Sequence, residues 1–296
     1  LGETRRAIEF YEQALAIARE IGDRRGEGNR LGNLGNAYAA LGETRRAIEF
    51  YEQALAIARE IGDRRGEGTW LGNLAEALID LNRFDEAIER ANEYVKICEE
   101  TGKPASYAYA RLALAHLYAA QEQQDPSGLA AARAAAERAC QYDVPENNHN
   151  AFVLLGIIAL LQKDIPAART AFTTAIAQAD ALLARTPELY DALDAEGMAL
   201  CGLVLCDSGQ WAVDSGQWVG GGQRSSVIGR PSSVTGHPSL VSAVQAFRAA
   251  RQINSDAGIV ARVVRKLDAL ARTHPDGAAL LAEARKVLQE TLRHTQ

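Results

Sequence analysis

The sequence predicts an all-α solenoid of stacked antiparallel helix pairs, and three observations carry that prediction. The 28 residues from Leu1 to Gly28 recur unchanged from Leu41 to Gly68, which sets a period of 40 residues. Within the period, apolar residues return at intervals of three and four, the spacing of one helix face. Glycines and prolines fall mainly at the joints between such stretches, outside one segment near residue 220. A repeat that is one helical hairpin cannot bury its apolar face alone, so neighbours must stack and their cores merge.

The elements follow in order. From Asn29 to Leu41 the stripe is Leu31, Leu34, Tyr38 and Leu41, and Gly42 then breaks the helix. Thr44 reads as the N-cap of a second helix with the stripe Ile48, Tyr51, Leu55 and Ala58, ended by Gly62-Asp63. Gly35, Ala47 and Ala54 are small where the two axes must approach, and Tyr38 and Tyr51 fill the spaces between them.

N-L-G-N-A-Y at Asn33 to Tyr38, Gly42, and A-I-E-F-Y-E-Q-A-L at Ala47 to Leu55 resemble the tetratricopeptide repeat at nearly every signature position. The longer period is similar to the repeats of LGN-type adaptors, of kinesin light chain and of bacterial signal-transduction ATPases. The resemblance implies a right-handed superhelix whose first helices line a concave groove that holds a partner. It weakens along the chain. A second hairpin uses Leu71, Leu74, Ala75, Leu78 and Ala87, and a third uses Leu114, Ala115 and Tyr118, then Ala132, Ala136 and Ala139. A fourth uses Leu155, Gly156, Ala168, Phe172 and Ala175. The fifth is divided, with one helix from Leu189 to about Cys206 and its mate, Leu240 to Ile253, carrying Ala243, Phe247 and Ala250.

Between the two halves lies a Gly/Ser-rich, nearly uncharged stretch in which SGQW occurs at Ser208 to Trp211 and again at Ser215 to Trp218. No helical period runs through it, so it is read as an insertion looping out of the stack, a neutral one in preference to a binding lid built on Trp211 and Trp218. Two further amphipathic stretches, Ile259 to Leu270 and Gly277 to Leu292, serve as C-terminal caps, with Arg262, Arg265, Lys266, Arg285 and Lys286 on a polar outer face. The expected organisation is thus repeats over 1–207, insertion over 208–237, and last repeat helix with capping helices over 238–296.

Composition narrows the function. A net charge of -6 gives no electrostatic footprint for nucleic acid or anionic lipid. No apolar run approaches the roughly 18 residues of a membrane span, and no signal peptide is present, which points to a cytoplasmic protein. Cys98, Cys140, Cys201 and Cys206 form no C-x-x-C pair and read as inert core thiols. Phosphate-loop, zincin and nucleophile-elbow motifs are absent, and His116, His149, His237, His274 and His294 lack metal-ligand spacing. No catalytic residue, metal or cofactor is therefore expected, and the protein is read as a non-enzyme.

What remains is the groove. The resemblance carries its lining positions onto Asn29 and Asn36 in the first full hairpin, Thr69, Glu76 and Asp80 in the second, Tyr109 and His116 in the third, and Asn150, Ile157 and Leu160 in the fourth. Asn36 is the leading candidate, because an amide offers both a donor and an acceptor to an extended peptide backbone. The lining grades from polar and acidic to apolar, so a bound protein or peptide is expected to set basic groups against Glu76 and Asp80 and an apolar anchor near Ile157 and Leu160. No Lys/Arg cluster is expected in the groove. The resemblance also implies a second reading, in which these repeats are the ligand-sensing C-terminal arm of a larger signal-transduction ATPase or transcriptional regulator. A small-molecule pocket sealed within the superhelix is a third. The chain begins mid-repeat and is read as a piece of a longer protein, with the stripe Ile8, Tyr11 and Leu15 half exposed.

Overall fold

The computed structural model describes residues 2–208 and 238–295, and every regular element among them is a helix. In chain order these are α1 Gly2–Glu20, α2 Arg24–Ala40, α3 Thr44–Glu60, α4 Arg64–Asp80, α5 Phe84–Thr101, α6 Ser106–Gln123 and α7 Pro126–Cys140. There follow α8 Pro145–Leu161, α9 Ile165–Leu183, α10 Tyr190–Asp207, α11 Pro238–Ile253, α12 Ala257–Ala271, α13 Gly277–Leu280 and α14 Ala282–Thr295. The insertion expected over 208–237, with Trp211 and Trp218, lies outside the described residues apart from Ser208.

The long period is spent on helix length. Residues 24–40 and 44–60 are two seventeen-residue helices joined by three-residue turns. The first helix begins at Arg24, five residues before the apolar stripe suggests. Asp23 caps it by accepting from Gly26 N at 2.8 Å, and Asp63 repeats the device on Gly66 N at 3.0 Å. Glu43, not Thr44, occupies the N-cap of α3 and makes no side-chain cap bond.

Exact repetition of sequence repeats the contacts as well. Glu27 is buried and receives Arg19 at 2.9 Å together with Arg24; forty residues on, buried Glu67 receives Arg59 at 3.0 Å together with Arg64. Arg24 and Arg64 are thus engaged in ion pairs. Gly35 faces Tyr51 so closely that a Cβ there would lie 2.5 Å from the ring, which explains the small residue opposite the large one.

Each helix packs on its sequence neighbours, and the even-numbered helices α2 to α10 also touch one another in succession. The odd-numbered row does not close up in this way, so the stack curves toward the even row, which forms its concave side. A single apolar core runs from Ile8 to Leu288. The N-terminal stripe is better covered than expected, because α2 buries Ile8 and Leu15; the exposed large apolar residues here are Phe10 and Ile17 of α1 and Ile21 just beyond it. Near the other end, α10 and α11 are tied by a buried ion pair between Arg251 and Asp194. Burial pushes the Asp194 carboxyl up to about 6, against the pull of that guanidinium.

Candidate functional site

The concave side is already occupied in part, by α12. This helix leaves the end of the stack and returns across the even row, where it packs on α2, α8 and α10. At its start Gly258 meets the end of α2 so tightly that a Cβ would sit 2.0 Å from the Ala39 carbonyl oxygen. Only a residue without a side chain fits that approach.

Charge fixes the middle of the helix. Arg262 donates from Nε to Asp80 Oδ2 at 2.7 Å and from a terminal nitrogen to Glu76 Oε1 at 2.9 Å, while Arg111 of α6 donates to Glu76 Oε2 at 3.1 Å. Burial alone would push the Glu76 carboxyl up; Arg262 and Arg111 reverse this and hold it at about 2. Asp80 is dominated by its burial and is shifted up despite Arg262. One turn further along, Arg265 donates to the Ile79 carbonyl oxygen and to Asn82 Oδ1, with its guanidinium 4.5 Å above the Tyr118 ring. Arg262 and Arg265 therefore point into the groove, in place of the outer polar face anticipated for them. The physical reason is the pair of carboxylates on α4, of which Arg111 reaches Glu76 while Arg262 bridges Glu76 and Asp80.

Beside α12 a cavity of about 200 Å³ stays open between α4, α6, α8 and α10. Leu114, Val153, Leu154 and Ile157 form its apolar wall, and Glu76, Arg111, Asp191 and Lys266 its charged rim. At the rim, fully buried His149 lies with Nε2 3.0 Å from Asp191 Oδ2, and Asn150 Nδ2 donates to the same oxygen at 2.7 Å. Burial opposes the charge on Asp191, but His149, Lys266 and Asn150 together outweigh it and the carboxyl is shifted down.

The expected site residues are distributed unevenly over this arrangement. Glu76 and Asp80 lie under α12, and Asn150 and Ile157 line the cavity. Asn29, Asn36 and Thr69 are exposed on α2 and α4. Asn36 Oδ1 accepts from the Tyr51 hydroxyl at 2.8 Å and from Asn73 Nδ2 at 3.0 Å, so its carbonyl joins neighbouring repeats. Thr69 donates to the Arg65 carbonyl oxygen at 3.0 Å. Tyr109 is turned away from the cavity, stacked on Tyr142 and donating to Glu99 at 3.0 Å. His116 is half-buried outside the cavity lining, where burial lowers its pKa. Leu160 is wholly buried in the core, so it offers no surface to an anchor.

On α6 the residues that meet the cavity are Tyr107, Ala110, Arg111 and Leu114, two positions ahead of the carried-over set. The signature had been laid on Leu114-Ala115, but Leu112 and Ala113 are the buried pair that fits the Leu34-Gly35 pattern, and Leu114 faces the cavity. Arg111 and Asp191 were not foreseen, and Lys266, expected on the outer polar face, lines the cavity instead. Lys266 comes from outside the repeats, and with Arg262 and Arg265 of the same helix it joins Arg111 of α6 to give the groove cations where no Lys/Arg cluster was expected. The cysteines are as inert as expected: burial pushes the Cys140 and Cys201 thiols up to about 12 and Cys206 to about 11. Among the described residues no helix is long and apolar enough to cross a membrane.

Residues 1–60 and 50–100 match the family model described as Tetratricopeptide repeat. No curated protein matches the chain in sequence. Among solved structures, the Rap conjugation gene regulator of the plasmid pLS20, in complex with the Phr* peptide, is 15% identical with a TM-score of 0.65, over 100% of this chain and 72% of that one. A Rap protein complexed with Competence and Sporulation Factor is 11% identical with a TM-score of 0.61, over 99% of this chain and 73% of that one. At such identities the likeness is one of fold.

Proposed function

The chain belongs to the tetratricopeptide-repeat family, and we propose on that footing that it is a non-catalytic scaffold binding a peptide or protein segment along its concave groove. The observation that carries the reading is what the groove already holds. It accommodates a fifteen-residue helix of its own chain by pairing Arg262 with Glu76 and Asp80 and by accepting a close backbone approach at Gly258. Those are the means by which one polypeptide segment recognises another. A neighbour of the same fold is described with a bound peptide, which supports the same reading.

On this account a partner segment meets the uncovered stretch of the even row at Asn29, Asn36 and Thr69, and α12 competes with it for Glu76 and Asp80. The groove is tested by panning a displayed peptide library against the intact chain and against a variant carrying Asn36→Ala, Glu76→Gln and Asp80→Asn. Enriched sequences should bind the first and lose affinity for the second. Sequences that bind both equally well would place recognition elsewhere on the surface.

A further inference from the structure

We infer that the outer face of α1 docks a second copy of this chain, with the two α1 helices packed antiparallel about a two-fold axis at Gln13. The face carries an apolar row without cover. Phe10, Ile17 and Ile21, each more than half exposed, are half of the exposed large hydrophobic side chains among the described residues, and all three lie on α1 or one residue past its end. Single exposed apolar residues are ordinary, whereas a contiguous row marks an interface. Ala7, Phe10, Ala14, Ile17 and Ile21 recur at steps of three and four, the spacing of a seam between two helices. The stripe that α2 covers is a different one, Ile8 and Leu15.

The repeated sequence shows what this row does when it is covered. In α3 the same positions are Ala47, Phe50, Ala54, Ile57 and Ile61, and the antiparallel α2 lies over them. Tyr38 stacks on Phe50 with ring centroids 5.3 Å apart, Gly28 lies against Ile57, and Ala47 and Ala54 are fully buried. The covering helix also supplies an arginine, Arg24, which donates from Nε to Glu60 at 3.1 Å. Glu20 is the counterpart of Glu60 on α1, and neither Glu20 nor Arg6 makes an ion pair among the described residues.

On α1 the row is complementary to itself. An antiparallel register that sets Phe10 opposite Ala14 of the second copy also sets Ile17 opposite its Ala7, so each large side chain meets a small one, as Tyr51 meets Gly35 within the chain. The same register brings Arg6 beside Glu20 of the second copy at both ends, in the flanking positions where such seams carry their ion pairs. Every contact then occurs twice, as a two-fold interface requires. A single helix pair falls short of the roughly 1,200 Å² of a standard interface, so the dimer should be half formed at about 10–100 µM and absent at about 1 µM, where Ile17 stays uncovered.

Sedimentation equilibrium of the full chain from about 1 to 500 µM tests this, and the mass should rise from that of one chain to that of two. Ile17→Glu changes a side chain that is already exposed, so it should hold the chain monomeric throughout that range with unchanged circular dichroism at 222 nm. Arg6→Glu alone and Glu20→Arg alone each set like charges together at both ends and should weaken association at least about tenfold. An equimolar mixture of these two variants restores opposite charges at both ends and should associate as well as the unaltered chain. A monomer at every concentration, a dimer indifferent to Ile17→Glu, or single variants that fail to complement each other overturns the inference.

Discussion

The unchanged 28-residue repeat supplies a matched pair of sites. Ile17 and Ile57 occupy the same place in the same sequence, yet Ile17 is 58% exposed and Ile57 6%. Ile57 packs on Gly28 of the preceding helix, where a Cβ would come within 3.2 Å of its Cγ2, and no such helix lies against Ile17. Truncating a buried isoleucine to alanine costs about 2–5 kcal/mol, toward the upper end where the site cannot collapse. Gly28 has no side chain to move into the space, so Ile57→Ala should cost about 3 kcal/mol. Ile17 has less than half of its surface covered, by α1 itself and its immediate surroundings, so Ile17→Ala should cost below about 1 kcal/mol. Urea unfolding followed by circular dichroism at 222 nm measures both, and amide exchange locates the loss, since solenoid stability is close to a sum of repeat and interface contributions. Equal losses at the two sites would refute the reasoning, because identical neighbours in sequence would then mean identical neighbours in space.

Three further outcomes follow from the groove. Gly258→Leu forces a side chain into the Ala39 carbonyl and should unseat α12, at a cost of about 1–3 kcal/mol, read as loss of exchange protection in α12 while α4 stays protected. Glu76 titrates at about 2 in the fold against an ordinary 4.5, so its stabilising contribution is fully present above pH 4.5 and is lost as pH falls from there toward 2. At about 1.4 kcal/mol per pH unit this amounts to at most about 3.5 kcal/mol, and Glu76→Gln should flatten that part of the stability profile measured by urea midpoints. Asn36→Ala removes the acceptor shared by Tyr51 and Asn73 and should cost about 1–2 kcal/mol in the same assay, whatever it does to partner binding.

Local chemistry made the hairpins legible. Three- and four-residue spacing located α2 to α5, and the α10 and α11 signatures identified two halves of one repeat across a long insertion. The N-terminal ends were misplaced because a capping aspartate, Asp23 or Asp63, starts a helix before any apolar residue is needed. On α6, Leu112-Ala113 and Leu114-Ala115 satisfy the same short pattern, and only packing decides between them. Gly277 to Leu292 reads as one amphipathic helix, yet it divides at Leu281 into α13 and α14. The seat of α12 had no periodic signal at all. It depends on one arginine, Arg262, meeting two carboxylates more than 180 positions earlier in the chain, a complementarity that charge counts along the sequence leave unlocated.

Hydrogen exchange at the amides of Val260 to Leu270 tests the central claim, that the groove holds α12, most directly. In the intact chain these amides should be protected to the level of α8, and Glu76→Gln should lower their protection while leaving α8 unchanged. Exchange at the rate of an unstructured segment, or protection indifferent to Glu76→Gln, would contradict it.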